Sequence, residues 1–104
     1  MNGPIATLPR PTVSAEVQRF AVEKGISRYV NAVIDVAQQA FPSSTLSVSL
    51  GQDVEDERHR YIALDVEVGG ETTDGLLRGQ RIWSSGVAHV CPPDHAVYFV
   101  LGWR

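Results

Sequence analysis

The residues with the clearest capacity for chemistry lie close together near the C-terminal end of the chain. The stretch His89-Val-Cys91-Pro-Pro-Asp94-His95 brings two imidazoles, a thiol and a carboxylate within seven positions. Zn²⁺ accepts this set of ligands, and a thiol beside a histidine base can also act as a nucleophile. No second group of cysteines or histidines completes a familiar metal spacing, so a core or loop role is favoured. We therefore expect neither a bound metal nor a cofactor.

The thiol of Cys91 is a poor candidate for a nucleophile. It follows an apolar stretch that we assign to a helix, which places it at the helix C-terminus. A thiolate needs a neighbouring base or a helix N-terminus for stabilisation, and the dipole at a C-terminus opposes it. A small metal or thiol enzyme at His89, Cys91 and His95 is therefore an alternative, and we expect a protein that is not an enzyme.

Charged residues form one acidic and one basic set. The acidic run lacks the spacing of an EF-hand and is typical of a solvated loop; it comprises Asp53, Glu55, Asp56 and Glu57. The basic set could contact phosphates or, with a nearby tryptophan, a stacked base; it comprises Arg58, Arg60, Arg78 and Arg81. Because 12 acidic residues outnumber 9 basic ones, for a net charge of -3, nucleic-acid binding is disfavoured.

Two strands and the connection between them are predicted from alternation. Residues 60–68 alternate apolar and polar side chains over their whole length, which predicts a half-buried strand around which the rest packs. Residues 45–50 alternate in the same way, with a small hydroxylic outer face. The charged connection, residues 51–60, is too long for a two-residue turn. A long hairpin loop and antiparallel pairing are therefore expected.

Three helices are predicted from caps and from helical spacing. Ser14 is a plausible N-cap for a first helix that Gly25 ends, and Ser27 looks like the cap of a second helix that Pro42 stops. A third helix, residues 73–90, follows a threonine cap. Its glycines at 79 and 86 lie nearly on one side, where they could allow close approach of another element.

The last strand and the fold class follow from these elements. Residues 96–103 are predicted to form a strand that is apolar on both faces for part of its length, which suggests a covered position or association. The order α-α-β-β-α-β predicts an α+β two-layer sandwich, with helices on one face of a three-stranded sheet. A last strand beside the first would make the sheet antiparallel throughout, and one beside the second would make it mixed. We prefer the antiparallel arrangement.

Length and composition are those of one globular domain. A chain of 104 residues with 43% hydrophobic content can bury a core without metals or disulfides. Three prolines mark residues 1–12 as a flexible tail, and residues 13–104 form the single domain. One cysteine cannot form an internal disulfide, and neither a secretory signal nor an apolar run of about 18 residues is present. We expect a soluble, cytoplasmic protein without a membrane partner.

In element order, residues 28–104 resemble the BolA-like and type II KH arrangement, with His95-Ala96 opening the last strand. The resemblance implies an α+β topology and no functional residue. The Gly-x-x-Gly loop of a KH domain is absent, and Arg58-His59-Arg60 precedes a strand, whereas the BolA-type Arg-His-Arg run lies on a helix.

These observations favour a non-enzymatic protein–protein interaction module of small bacterial type, such as an antitoxin-like neutraliser. It would bind a protein partner, or itself as a homodimer, through a sheet edge and the apolar last strand and helix. The candidate contact residues are Trp83, Tyr98, Val100, Trp103, Arg78 and Arg81. Nucleic-acid binding through the four arginines is the alternative from another class.

Overall fold

The computed structural model describes residues 10–56, 58–69 and 72–104. The helices are α1 (Ala15–Glu23), α2 (Ser27–Ala40), α3 (Thr73–Val90) and α4 (Pro93–Ala96), and the strands are β1 (Leu46–Gln52), β2 (Arg60–Val66) and β3 (Phe99–Trp103). The predicted α+β class and element order are confirmed, with the short helix α4 added before the last strand. No helix within the described ranges combines the length and the apolar character that a membrane crossing requires.

The helix boundaries that depend on local chemistry lie where the sequence predicts them. The Ser14 hydroxyl accepts a hydrogen bond from the Val17 amide (3.2 Å), and the Thr72 hydroxyl accepts one from the Gly75 amide (3.0 Å). Gly25 ends the first helical segment with a φ of 70°, a left-handed conformation that glycine adopts without steric cost.

The start of α2 differs from the prediction. Ser27 is the first helical residue and not the cap, and Ile26 occupies the cap position without a side-chain hydrogen bond. The Ile26 side chain is fully buried, and its amide donates to the Ala21 carbonyl (2.8 Å). Burial of an apolar side chain therefore fixes this helix start in place of a hydroxyl cap.

The sheet has the strand order β1-β2-β3. β1 pairs antiparallel with β2, which confirms the predicted hairpin, and β3 pairs parallel with β2, Phe99 lying opposite Ile62. The expected antiparallel sheet is therefore wrong, and the sheet is mixed. The reason lies in burial: the inner face of β2 is almost completely removed from solvent, which a central strand with neighbours on both sides achieves.

The core lies between the sheet and the helices, as expected for a two-layer sandwich. Alternate residues of β2 point into it, together with the apolar stripe of α2 and two side chains of α3; these residues include Ile62, Leu64, Val66, Val33, Ile34, Ala37, Trp83 and Val87. The other face of the sheet carries mostly small or polar side chains together with the apolar Val100, all of them wholly or partly exposed: Ser47, Ser49, Ala63, Asp65 and Val100. We call this second surface the open face.

Helix α3 packs closely against α2 because two of its residues lack side chains. A methyl group at Gly79 would overlap the ring of Phe41, and one at Gly86 would lie 2.6 Å from a methyl carbon of Val36. The close approach predicted from the glycine spacing is confirmed.

The last strand begins three residues later than predicted. His95 and Ala96, which were expected to open it, lie in α4, where their amides both donate to the Pro92 carbonyl (3.0 and 2.8 Å). Pro93 starts this helical turn, a position where a missing N–H costs no hydrogen bond. The strand therefore keeps only Phe99–Trp103.

Candidate interaction surface

The four residues considered for metal binding do not converge. No three His, Cys, Asp or Glu side chains in the part of the chain that the structure describes are placed to hold a metal ion. Cys91 is buried in the core, and His89 is exposed on α3. His95 packs with its ring centroid 5.4 Å from that of Tyr29, and its buried Nδ1 has no hydrogen-bond partner among the described residues. The arrangement is one of packing around the end of α3.

The surroundings of Cys91 oppose thiolate chemistry. Burial raises the pKa of the thiol above its ordinary value of 9.0, and the carboxylate of Asp94 raises the pKa further. Both effects disfavour the thiolate, which is the form that attacks an electrophile or binds a metal.

This raised pKa predicts a pH dependence of stability. Below pH about 8 the thiol is protonated in both the folded and the unfolded state, so its stabilising contribution is complete. As the pH rises through the unfolded pKa, only the unfolded state ionises, and stability is lost. We therefore expect the stability advantage of the wild type over Cys91→Ala, measured by urea unfolding, to shrink between pH 7 and pH 10. A pH-independent difference would contradict the buried position of the thiol.

The four arginines of the nucleic-acid alternative are distributed over different parts of the surface. Arg58 pairs with Asp56 in the hairpin loop (3.4 Å), and Arg60 lines a groove with the acidic residues Glu16 and Glu23 of α1. Arg78 and Arg81 both lie on α3 but line two different grooves. The described structure therefore does not gather these four side chains into one basic surface.

The aspartates of the acidic run accept hydrogen bonds from backbone amides of their own loop. A carboxylate oxygen of Asp53 accepts from the Glu55 amide (2.8 Å), and one of Asp56 accepts from the Arg58 amide (3.0 Å). These contacts are typical of turns stabilised by aspartate side chains. Glu57, the fourth member of the run, lies outside the described residues.

The apolar residues nominated for partner contact divide into buried and exposed ones. Trp83 is only 8% exposed and belongs to the core, and the ring of Tyr98 packs edge-on against Phe20 at 6.0 Å. Val100 and Trp103 are 41% and 44% exposed. The exposed apolar surface of this set is therefore carried by β3.

The hydrogen bonds between β2 and β3 determine which backbone groups of β3 remain free. The Ile62 amide donates to the Tyr98 carbonyl (2.7 Å), and Arg104 both donates to Val66 (2.8 Å) and accepts from Val68 (3.0 Å). Residues 98 and 104 thus face β2, and in a parallel ladder every second residue does the same. Residues 100 and 102 therefore also face β2.

The remaining residues of β3 direct their backbone away from the sheet. We define the β3 edge as the N–H and C=O groups of Phe99, Leu101 and Trp103. Because β3 is the outermost strand of the described sheet, these three donors and three acceptors have no strand beside them within the described ranges.

The β3 edge lacks the features that usually protect a strand from pairing. Natural proteins place lysines, prolines or bulges on exposed edges to prevent association. The strand Phe99-Val100-Leu101-Gly102-Trp103 contains no charge and no proline. Of the seven large apolar side chains that are exposed in the described structure, Val100 and Trp103 belong to β3 and Val97 lies two residues before it, so exposed apolar surface is concentrated around this strand.

Neighbouring residues hold the C-terminal end of the β3 edge in place. The Trp103 ring packs edge-on against the ring of Phe41 (5.3 Å between centroids), which itself fills the space beside Gly79. The Asp65 side chain lies over Gly102 and pairs with the guanidinium of Arg104 (3.5 Å). An aromatic contact and an ion pair therefore fix the position of this end of the strand.

The other edge of the sheet is different. The Glu67 amide donates to the Thr45 carbonyl (3.0 Å), so alternate residues of β1 from Leu46 onward direct their backbone outward. None of the large exposed apolar side chains belongs to β1, and its open-face side chains include two serines. Exposed large apolar side chains are therefore found at β3 and not at β1.

Comparison with known proteins gives no further assignment, because no family model, curated protein or solved structure matches this chain significantly. The sequence had indicated the surface through the apolar residues on both faces of the last strand. The outward-facing backbone of Phe99 and Leu101 was missed, since strand order decides which groups remain free.

Proposed function

We propose that this protein is a non-enzymatic interaction module that binds a β-strand, from another protein or from a second copy, along the β3 edge. The observation that carries the proposal is the uncharged strand β3, which has no strand on its outer side within the described ranges and carries the exposed Val100 and Trp103. Strand addition to such an edge takes affinity from main-chain hydrogen bonds and specificity from the alternating side chains.

The charge distribution favours this use of the edge. The chain carries a net charge of -3, yet residues 95–103 contain no Asp, Glu, Lys or Arg. Covering β3 therefore buries no ionised side chain of the strand itself, and the nearby Asp65 carboxylate is already paired with Arg104. Arg78 lines a groove with Phe41, whose ring packs against Trp103, and therefore suits a polar rim around the apolar contact, whereas the groove of Arg81 contains no β3 residue. The single, buried free thiol is consistent with a cytoplasmic location.

A matched pair of substitutions at Leu101 tests the proposal. The Leu101 amide points away from β2, so Leu101→Pro removes an outward donor and leaves the β2–β3 ladder intact. Leu101→Val keeps the donor and most of the apolar side chain. In a capture experiment with lysate divided into nuclease-treated and untreated halves, and with a second, differently tagged copy, we expect wild type and Leu101→Val to retain a stoichiometric protein after nuclease treatment. We expect Leu101→Pro to lose it by at least about tenfold, since a hydrogen bond is lost and the proline ring obstructs the incoming strand.

The control variant is Val22→Lys, which changes an equally apolar and more exposed position on α1. It should bind like the wild type. Retention of the same partner by Leu101→Pro would show that the β3 edge is not the interface. Recovery of nucleic acid alone, lost on nuclease treatment, would transfer support to the four arginines.

A further inference from the structure

We infer that the occupant of the β3 edge is the β3 edge of a second copy, paired antiparallel about a two-fold axis at Leu101. This inference rests on the proposed function and specifies its partner. The two can fail separately, because another protein can bind the same edge when a second copy does not.

The free backbone groups are complementary to themselves in this register. A two-fold axis perpendicular to the sheet makes two neighbouring strands antiparallel. With the axis at Leu101, Phe99 of one copy lies opposite Trp103 of the other, and the two Leu101 residues face each other. All three residues direct N–H and C=O outward, so three hydrogen-bonded pairs form, each with two bonds. An axis at Val100 or Gly102 leaves only two such pairs within the strand.

The side chains fit the same register. On the open face, Val100 of one copy lies opposite Gly102 of the other, which has no side chain of its own, so that the valine would lie beside the Asp65 carboxylate that covers Gly102. On the helix side, Phe99 of one copy meets the half-exposed indole of Trp103 of the other. Cross-strand pairs of this kind between apolar and aromatic residues stabilise antiparallel sheets.

No like charges meet across the axis. The strand itself is uncharged, and the charged residue that follows it, Arg104, would lie opposite Tyr98 of the second copy. The Asp65 carboxylate near the edge is already paired with Arg104 of its own chain. Electrostatic repulsion therefore does not oppose the pairing, although both copies carry a net negative charge.

The contact between the two edges is small. An edge of five residues covers less surface than the roughly 1,200 Å² at which stable interfaces begin, so the dimer should dissociate on dilution. The product is a six-stranded mixed sheet with the helices of both copies on one side and both open faces joined on the other.

Amide hydrogen exchange of the purified protein tests the inference directly. In a monomer the Val100 and Gly102 amides are bonded to β2 and exchange slowly, whereas the Leu101 and Trp103 amides face solvent and exchange quickly. In the dimer all four exchange slowly. We expect the protection of Leu101 and Trp103 to rise with protein concentration, in parallel with dimer formation measured by analytical ultracentrifugation.

Variants test the register of the pairing between the two copies. We expect Leu101→Pro to raise the dimer Kd at least about tenfold relative to Leu101→Val, while the Val100 and Gly102 amides remain protected. In a Cys91→Ala background, Val100→Cys chains mixed with Gly102→Cys chains, in which the Asp65 carboxylate must move aside for the new side chain, should form a disulfide-linked heterodimer under mild oxidation, since non-hydrogen-bonded pairs have Cα atoms about 4.5 Å apart. A disulfide between two Val100→Cys chains would place the axis elsewhere and overturn the register.

A monomer at millimolar concentration with rapidly exchanging Leu101 and Trp103 amides would overturn the inference as a whole. This wild-type measurement decides the question even if a variant fails to fold. The capture experiment then shows separately whether another protein uses the edge.

Discussion

Replacing Phe41 by alanine should lower the free energy of unfolding by about 3–5 kcal/mol, the range measured for large aromatic side chains removed from protein cores. Phe41 is only 2% exposed, and its ring contacts both Trp103 and the helix surface at Gly79. Its removal leaves a cavity at the junction of α2, α3 and β3, which close packing on three sides prevents from collapsing. Urea unfolding followed by circular dichroism measures the loss.

The variant Phe41→Leu serves as the comparison, because leucine retains much of the buried apolar volume and should cost clearly less. Tryptophan emission provides a second readout, since the indole of Trp103 loses its aromatic neighbour and gains water. A loss of stability below about 1 kcal/mol for Phe41→Ala would show that the ring is not packed as described.

The second large effect concerns Gly79, where the change in stability caused by a substitution should reverse its sign when the Phe41 ring is absent. Gly79→Ala should destabilise the wild type by about 1–3 kcal/mol, because the new methyl group overlaps the buried Phe41 ring. In the Phe41→Ala background the same methyl group enters the cavity, and the higher helix propensity of alanine, up to about 1 kcal/mol, becomes visible. We expect a coupling of about 2 kcal/mol in the double-mutant cycle.

Ser85→Ala is the matched control on the same helix, since Ser85 is exposed and its side chain has room. It should change stability by less than about 0.5 kcal/mol in either background. Equal effects of Gly79→Ala with and without Phe41 would mean that the glycine is required for a reason other than the ring.

The features predicted correctly from the sequence are those that neighbouring residues determine. Ser14 and Thr72 cap helices because a hydroxyl reaches an amide three positions away, and Gly25 ends one because of its own conformational freedom. The position of β3 was predicted wrongly, because pairing with β1 or with β2 satisfies the same local pattern. Ser27 was misassigned for a similar reason: burial of Ile26 overrode a local cap preference.

The candidate surface was partly predictable. Val100 and Trp103 were selected because the last strand is apolar on both faces, and both are exposed. Trp83 was selected on its residue type, but it shares the inner face of α3 with Gly79 and Val87 and is buried. The free backbone of Leu101 could not be predicted, since an edge exists only once the order of the strands is fixed.

The parallel pairing of β2 with β3 also sets the order in which the domain folds. Ile62 and Phe99 are 37 positions apart in the chain, whereas the hairpin partners Gln52 and Arg60 are separated by 8. Closing the longer loop costs more chain entropy, so we expect the hairpin of β1 and β2 to form before β3 pairs with β2. During that interval β3 of any nearby chain competes with the chain's own β3 for the vacant side of β2. Refolding at high concentration therefore favours exchange of the last strand between molecules, with the Pro92-Pro93 segment as the hinge.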